Sequence, residues 1–180
     1  RTSDGWLTPP DLLAQLGRFA IDPCAAPDPR PWPTARVHLT EKDDGLSRPW
    51  SGRCFANPPY GHAVGRWLER MAAHANGILL IFNRSDTRVF QKFVLGAADA
   101  IFLIRGRLRF FHRSGAPAPY CTGAPSILAA YGRENAEVLR RISWPGVYVP
   151  LVRRGSASGG GSAGHVFGGN ASFTAGGGRR

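Results

Sequence analysis

Arg53-Cys54-Phe55-Ala56-Asn57-Pro58-Pro59-Tyr60-Gly61 begins as a mostly apolar run and stops at two prolines. Residues 53–56 read as a strand, which must end near Asn57 because Pro58 and Pro59 have no N–H to give a ladder. Over 64–75, Val64, Trp67, Leu68 and Met71 recur at helical spacing and make one apolar face. Ile78-Leu79-Leu80-Ile81-Phe82 follows, a continuous apolar run of strand length, the pattern of a strand buried on both faces. Strand, amphipathic helix and buried strand in this order are the unit of a parallel α/β sheet.

Towards the N-terminus, residues 8–17 read as a helix. Thr8 can cap it, Pro9 or Pro10 suits its first turn, and Gly17 can take the left-handed end. Residues 19–22 form a short buried strand halted by Pro23, 23–33 an irregular proline-rich loop, and 37–39 another short strand. Towards the C-terminus, 89–95 suits a helix, 100–104 a buried strand, 108–111 and 126–130 further strands, and 134–141 a late helix. The expected fold is therefore α/β, a mostly parallel sheet with helices on both faces and some antiparallel additions late in the chain. Residues 1–154 make one domain. Residues 155–180 hold ten of the 23 glycines, spaced by Ser and Ala, and read as a flexible tail that cannot bury enough surface to fold.

The formal charge is +11, and because 155–180 carries two arginines and no acid, +9 of it belongs to residues 1–154. A basic folded surface most often meets a polyanion, nucleic acid first among them. An arginine-favouring genome would give a similar charge, since 21 of the 23 cationic residues are Arg. Cys24, Cys54 and Cys121 are odd in number, widely spaced and without a Cys-x-x-Cys pair, which speaks against a disulfide framework or structural zinc. No apolar run approaches membrane-spanning length and no charged segment leads into one, so a soluble, cytoplasmic protein is expected.

Chemistry concentrates at Asn57-Pro58-Pro59-Tyr60, directly beyond a buried strand, where ligands of open α/β sheets bind. The two prolines stiffen the loop and leave its carbonyls free to face a ligand. The Asn57 side-chain oxygen and the Pro58 backbone carbonyl can accept both N–H bonds of an amino group on a planar base. Such a nitrogen is a poor nucleophile, and holding it in line with a methyl donor contributes through positioning. The Tyr60 ring offers a stacking face worth about 1–3 kcal/mol. The plainer alternative is a Pro-Pro turn that ends a strand, with Tyr60 as packing; Pro9-Pro10 shows that such pairs recur in this chain.

These residues match the Asn-Pro-Pro-Tyr signature of amino-methyltransferases, and residues 6–111 resemble the DNA N6-adenine methyltransferase family found in phages and prophages. Beside the signature, the matching pieces are Thr8-Pro9-Pro10, Ile21-Asp22-Pro23-Cys24-Ala25, Leu39-Thr40-Glu41-Lys42-Asp43-Asp44-Gly45-Leu46 with Trp50, Phe82-Asn83-Arg84-Ser85-Asp86-Thr87 and Ile104-Arg105-Gly106-Arg107-Leu108-Arg109-Phe110. The resemblance implies a Rossmann-like methyltransferase fold, S-adenosylmethionine as methyl donor and a flipped-out adenine in DNA as acceptor. It implies that Asp22, Pro23, Cys24 and Ala25 form the cofactor loop and that Thr8 and Pro9 close over the methionine portion. Asp44 matches the acidic residue that accepts a hydrogen bond from the cofactor's adenine, with Glu41 and Asp43 as competitors. The Gly-x-Gly turn of the wider methyltransferase class is missing; Ala25 and Ala26 stand in its place.

Arg84, Arg105, Arg107 and Arg109 are the candidates for DNA phosphate contacts. The last three alternate and would share one face of an extended strand, although an edge strand kept from aggregating would look alike. His38, His62 and His112 show no ligand spacing, no metal is expected, and the loops around 117–123 are the place left for sequence preference. Other readings are an N4-cytosine, RNA-base or protein-glutamine methyltransferase, or a DNA binder of the same fold that has lost its cofactor.

Overall fold

The computed structural model describes residues 5–152; the expected tail, 155–180, lies outside them. Seven strands form one sheet in the order β2-β1-β3-β4-β6-β5-β7. These are β1 (Ile21–Asp22), β2 (Val37–His38), β3 (Cys54–Ala56), β4 (Gly77–Phe82), β5 (Ala100–Ile104), β6 (Ser126–Tyr131) and β7 (Gly146–Pro150). Helices α1 (Pro10–Leu16) and α4 (Arg133–Arg141) cover one face, α2 (Val64–His74) and α3 (Arg88–Phe90) the other, with α3 running on as a π-helical turn over Gln91–Leu95.

Side-chain alternation divides the core into two layers. Ile78 and Leu80 of the central strand β4 meet Leu12 and Leu16 of α1 and Leu139 of α4 in one apolar cluster. Leu79 and Ile81 meet Trp67, Leu68 and Met71 of α2 in the other. Period-2 alternation sends consecutive side chains to opposite faces, so an unbroken apolar run is what a strand sandwiched by helices requires. The edges are treated differently: Val37 of β2 is 45% and Val147 of β7 54% exposed, and β7 ends in Pro150, which an edge tolerates.

The sheet is less parallel than the sequence suggests. The β1–β2, β1–β3 and β3–β4 pairs are parallel, but β6 inserts between β4 and β5 antiparallel to both, and β7 runs antiparallel to β5. The expected strand at 108–111 is absent: β5 already has β6 and β7 as neighbours, and the segment makes only isolated bridges, Phe111 with Leu7 and with Pro117. β7 has no counterpart among the expected strands, and none of its residues is fully buried. Nor does Thr8 cap α1, whose N-cap is Pro9 with no side-chain bond. Thr8 is instead buried, and its carbonyl accepts the Trp32 indole N–H at 3.0 Å.

Gly77 opens β4 where β3 passes closest, and a Cβ there would lie well inside contact distance of the Cys54 carbonyl oxygen. Gly77→Ala must push β3 and β4 apart. It is expected to cost about 1–3 kcal/mol, measured as a lowered urea midpoint at unchanged m-value.

Candidate active site

From β1 the chain moves outward to β2 and returns to lay β3 on the other side of β1, so the strand order reverses there. Such a switch opens a crevice beyond the carboxyl ends of the strands. Asp22 is the last residue of β1 and Asn57 the first beyond β3, so one crevice receives both.

Asp22 is 3% exposed. Its Oδ1 accepts the Cys24 N–H at 3.1 Å and its Oδ2 accepts the Thr34 hydroxyl. Burial dominates over these bonds and over nearby Arg30, and pushes its carboxyl from 3.8 up to about 6. Thr34 is itself held by His38, whose Nε2 accepts the backbone N–H groups of Thr34 and Ala35, both at 3.2 Å. Burial and then Arg30 lower the His38 pKa, which keeps the ring neutral and able to accept. His38 thereby fixes the turn that presents Thr34 to the carboxylate.

Asp22, Thr8, Cys24, Thr34 and Asn57 line a cleft of about 20 Å³, room for roughly one water. Trp6 and Leu7 border it, and Leu7 is tied to Phe111 by reciprocal backbone bonds of 2.8 and 3.0 Å. A second cavity, about 300 Å³, also borders Asn57, with Trp6, Tyr60, Phe82 and Phe110 among its walls. Tyr60 stacks on Phe82, ring centroids 3.7 Å apart and planes 8° from parallel. Its hydroxyl donates to Asn57 Oδ1 at 3.2 Å. Asn57 and Trp6 thus belong to both spaces: a small cleft that holds a carboxylate, and a larger aromatic chamber.

The acidic loop sorts itself. Asp43 Oδ2 accepts the Thr40 N–H at 2.7 Å and the Thr40 hydroxyl at 2.9 Å, closing a capping box; those bonds lower its pKa. Asp44 is exposed, in the left-handed region at φ 49°, with Oδ2 accepting the Ser47 hydroxyl at 2.5 Å. It borders neither cavity. Next to it, Gly45 packs against the Pro23 carbonyl so tightly that no Cβ fits. The buried Trp50 indole donates to the Gly45 carbonyl at 2.8 Å and stacks on Trp67 of α2. That glycine joins the acidic loop to the Asp22–Ala25 loop, whose Ala25 N–H bonds the Leu39 carbonyl at 2.8 Å.

The model of the DNA N-6-adenine-methyltransferase (Dam) family matches residues 1–136. The chain belongs to that family. No curated protein and no solved structure matches it. The Dam match reaches into α4 and takes in every residue that borders the two cavities.

Of the residues expected at a Dam site, Thr8, Asp22 and Cys24 meet Asn57 at the cleft, and Tyr60 meets it at the chamber. Pro9, Pro23, Ala25, Pro58 and Pro59 shape the backbone without bordering either space. Arg84, Arg105, Arg107 and Arg109 are exposed. Gly106, at φ 76°, turns the chain between Arg105 and Arg107, so the three arginines do not line one strand. Exposure still alternates beyond the turn: Arg107 and Arg109 face out while Leu108 and Phe110 are buried. Trp6, Thr34, His38 and Phe82 were missed as site residues, and only their folded neighbours reveal them.

Asp22 gives a pH test. Its proton is held more tightly folded than unfolded, so stability falls as pH rises from 3.8 to about 6 and is flat above. Asp22→Asn removes that penalty. It should stabilise the protein at neutral pH by up to about 3 kcal/mol, with the gain shrinking as pH falls from 6 towards 4, followed by urea denaturation across the range.

Proposed function

We propose that this Dam-family protein transfers a methyl group from S-adenosylmethionine to N6 of an adenine drawn out of duplex DNA. The observation that carries the reading is Asn57 standing as a common wall between a carboxylate-bearing cleft and an aromatic chamber.

The chamber suits a planar base. Tyr60 on its Phe82 backing gives a fixed aromatic surface, and every base has a π-face to set against one. Asn57 Oδ1 already accepts a hydrogen bond from the Tyr60 hydroxyl and has lone-pair capacity left for an exocyclic amine. The Pro58 carbonyl, next along the chain from Asn57 but bordering neither space in the free protein, would be the second acceptor once the base is seated, leaving the nitrogen lone pair to point at the electrophile. No strong base is required, because the amine proton becomes acidic only after the new bond forms.

The cleft suits a donor that carries both charges: Arg30 lines it beside Asp22, so it offers one group for a carboxylate and one for a positive centre. A buried carboxylate with a raised pKa gains most from a positive partner, which draws it back to the ionised form. Asp22, Thr8, Cys24 and the backbone of Ala25 would hold S-adenosylmethionine, and Asp44 would meet its adenine end from the loop pinned by Gly45. Bound there, the donor supplies an activated methyl group on a sulfonium. A volume of about 20 Å³ does not admit the whole molecule, so most of the donor would lie outside this cleft. Arg84, Arg105, Arg107 and Arg109 would take phosphates around the chamber.

Labelled S-adenosylmethionine with adenine-containing duplex DNA, followed by nucleoside analysis, tests the reading. N6-methyladenine is expected, with turnover reduced roughly 100-fold or more in Asn57→Ala while donor binding persists. Unchanged turnover in that variant would refute the role of Asn57, and transfer to cytosine, RNA or protein would refute the acceptor. Tyr60→Ala should instead raise KM for DNA by about 5–100-fold. The double variant Arg107→Ala/Arg109→Ala should weaken DNA binding on all sequences and flatten its dependence on log salt by about one unit per lost contact.

A further inference from the structure

A base can reach the chamber only through its mouth, so whatever stands exposed on that rim faces the duplex. Tyr120 stands there, bordering the chamber and 83% exposed, the most exposed aromatic among the described residues. It is not on a loose loop. Two residues before it, buried Ala118 donates its N–H to the Phe110 carbonyl at 2.8 Å; two residues after it, Thr122 donates to the Leu108 carbonyl at 2.9 Å. The Thr122 hydroxyl closes the turn on the Ala124 carbonyl at 2.9 Å, and Pro119 stiffens the approach. An apolar ring is thus held out into water at an anchored position.

The arm to which it is anchored carries the charge for the same partner. Arg107 and Arg109 alternate with the buried Leu108 and Phe110 whose carbonyls pin the tyrosine loop. Neither arginine makes an ion pair among the described residues. One segment, 105–125, therefore offers cations suited to phosphates and an aromatic ring suited to stacked bases.

We propose that Tyr120 enters the gap left in the duplex by the extruded adenine, stacking on the bases that remain and keeping the target from re-pairing. The inference rests on the function proposed above and adds a role that Asn57 and Tyr60 cannot fill from inside the chamber. Extrusion costs stacking and pairing, and an inserted side chain restores part of the stacking. That benefit exists only where the target begins paired.

The experiment uses a duplex carrying an adenine that the wild-type protein methylates. A second duplex is identical except for an abasic residue opposite that adenine. Tyr120→Ala should lower kcat/KM about ten-fold or more on the paired substrate and by a much smaller factor on the unpaired one. Tyr120→Phe, which keeps the ring, should stay near wild type on both. An equal fall on the two substrates would overturn the proposal in favour of a pocket-wall role, and no fall on the paired substrate would overturn it outright. If the wild-type protein methylated neither DNA, the parent reading would fall and this one with it. Thermal unfolding of the variants, expected to match wild type, separates these outcomes from misfolding.

Discussion

The parallel pairing of β1 with β3 is the constraint on which the site depends. It runs through a single register pair, Ile21 with Cys54, and brings the carboxyl ends of two strands to one edge. Asp22 and Asn57 then face a shared crevice although they are far apart in sequence. The pairing is short and cannot hold by itself. It is reinforced by the Ala20 N–H on the Arg53 carbonyl at 2.7 Å. Arg53 adds to it, its guanidinium over the Phe19 ring and bonded to Asn135 of α4 at 2.6 Å. The end of the sheet away from the crevice is thereby clamped, while the crevice end carries the polar chemistry.

That division explains an unfavourable feature. A carboxylate buried among Thr34, Cys24 and Phe55 costs stability when ionised, and the chain keeps it. A cationic ligand would recover the cost on binding, so the same burial that weakens the free protein strengthens the complex. Functional sites commonly break local rules for stability in this way.

Much of the fold was legible in the sequence. The run Ile78 to Phe82 announced the central strand, and the spacing of Trp67, Leu68 and Met71 announced the helix beside it. Antiparallel additions late in the chain were legible, and β6 and β7 are such strands; the place of β6 between β4 and β5 was not, because nothing in the all-buried run Ser126 to Tyr131 names its neighbours. At 107–110 the alternation was real, with Arg out and Leu or Phe in, but its hydrogen-bond partners are residues 118 and 122 of a neighbouring loop rather than a sheet. For the site, Asn57 and Tyr60 stood out because Asn-Pro-Pro-Tyr is a narrow combination. His38 did not, since an acceptor role toward Thr34 and Ala35 leaves no spacing pattern. Phe82 was read as strand core and serves also as the backing of Tyr60.

With Asn57 as the dividing wall, the proposed reaction puts the donor on the Asp22 side and the base on the Tyr60 side. The aromatic chamber is the larger space and, by volume alone, could take either the base or the donor's adenine. A crystal structure of the protein with adenine-containing duplex DNA and a non-transferable S-adenosylmethionine analogue distinguishes them directly. The prediction is an extruded adenine against Tyr60 with N6 about 3 Å from Asn57 Oδ1, and the analogue's cationic end beside Asp22. An analogue seated in the aromatic chamber, with the target base elsewhere, would contradict it.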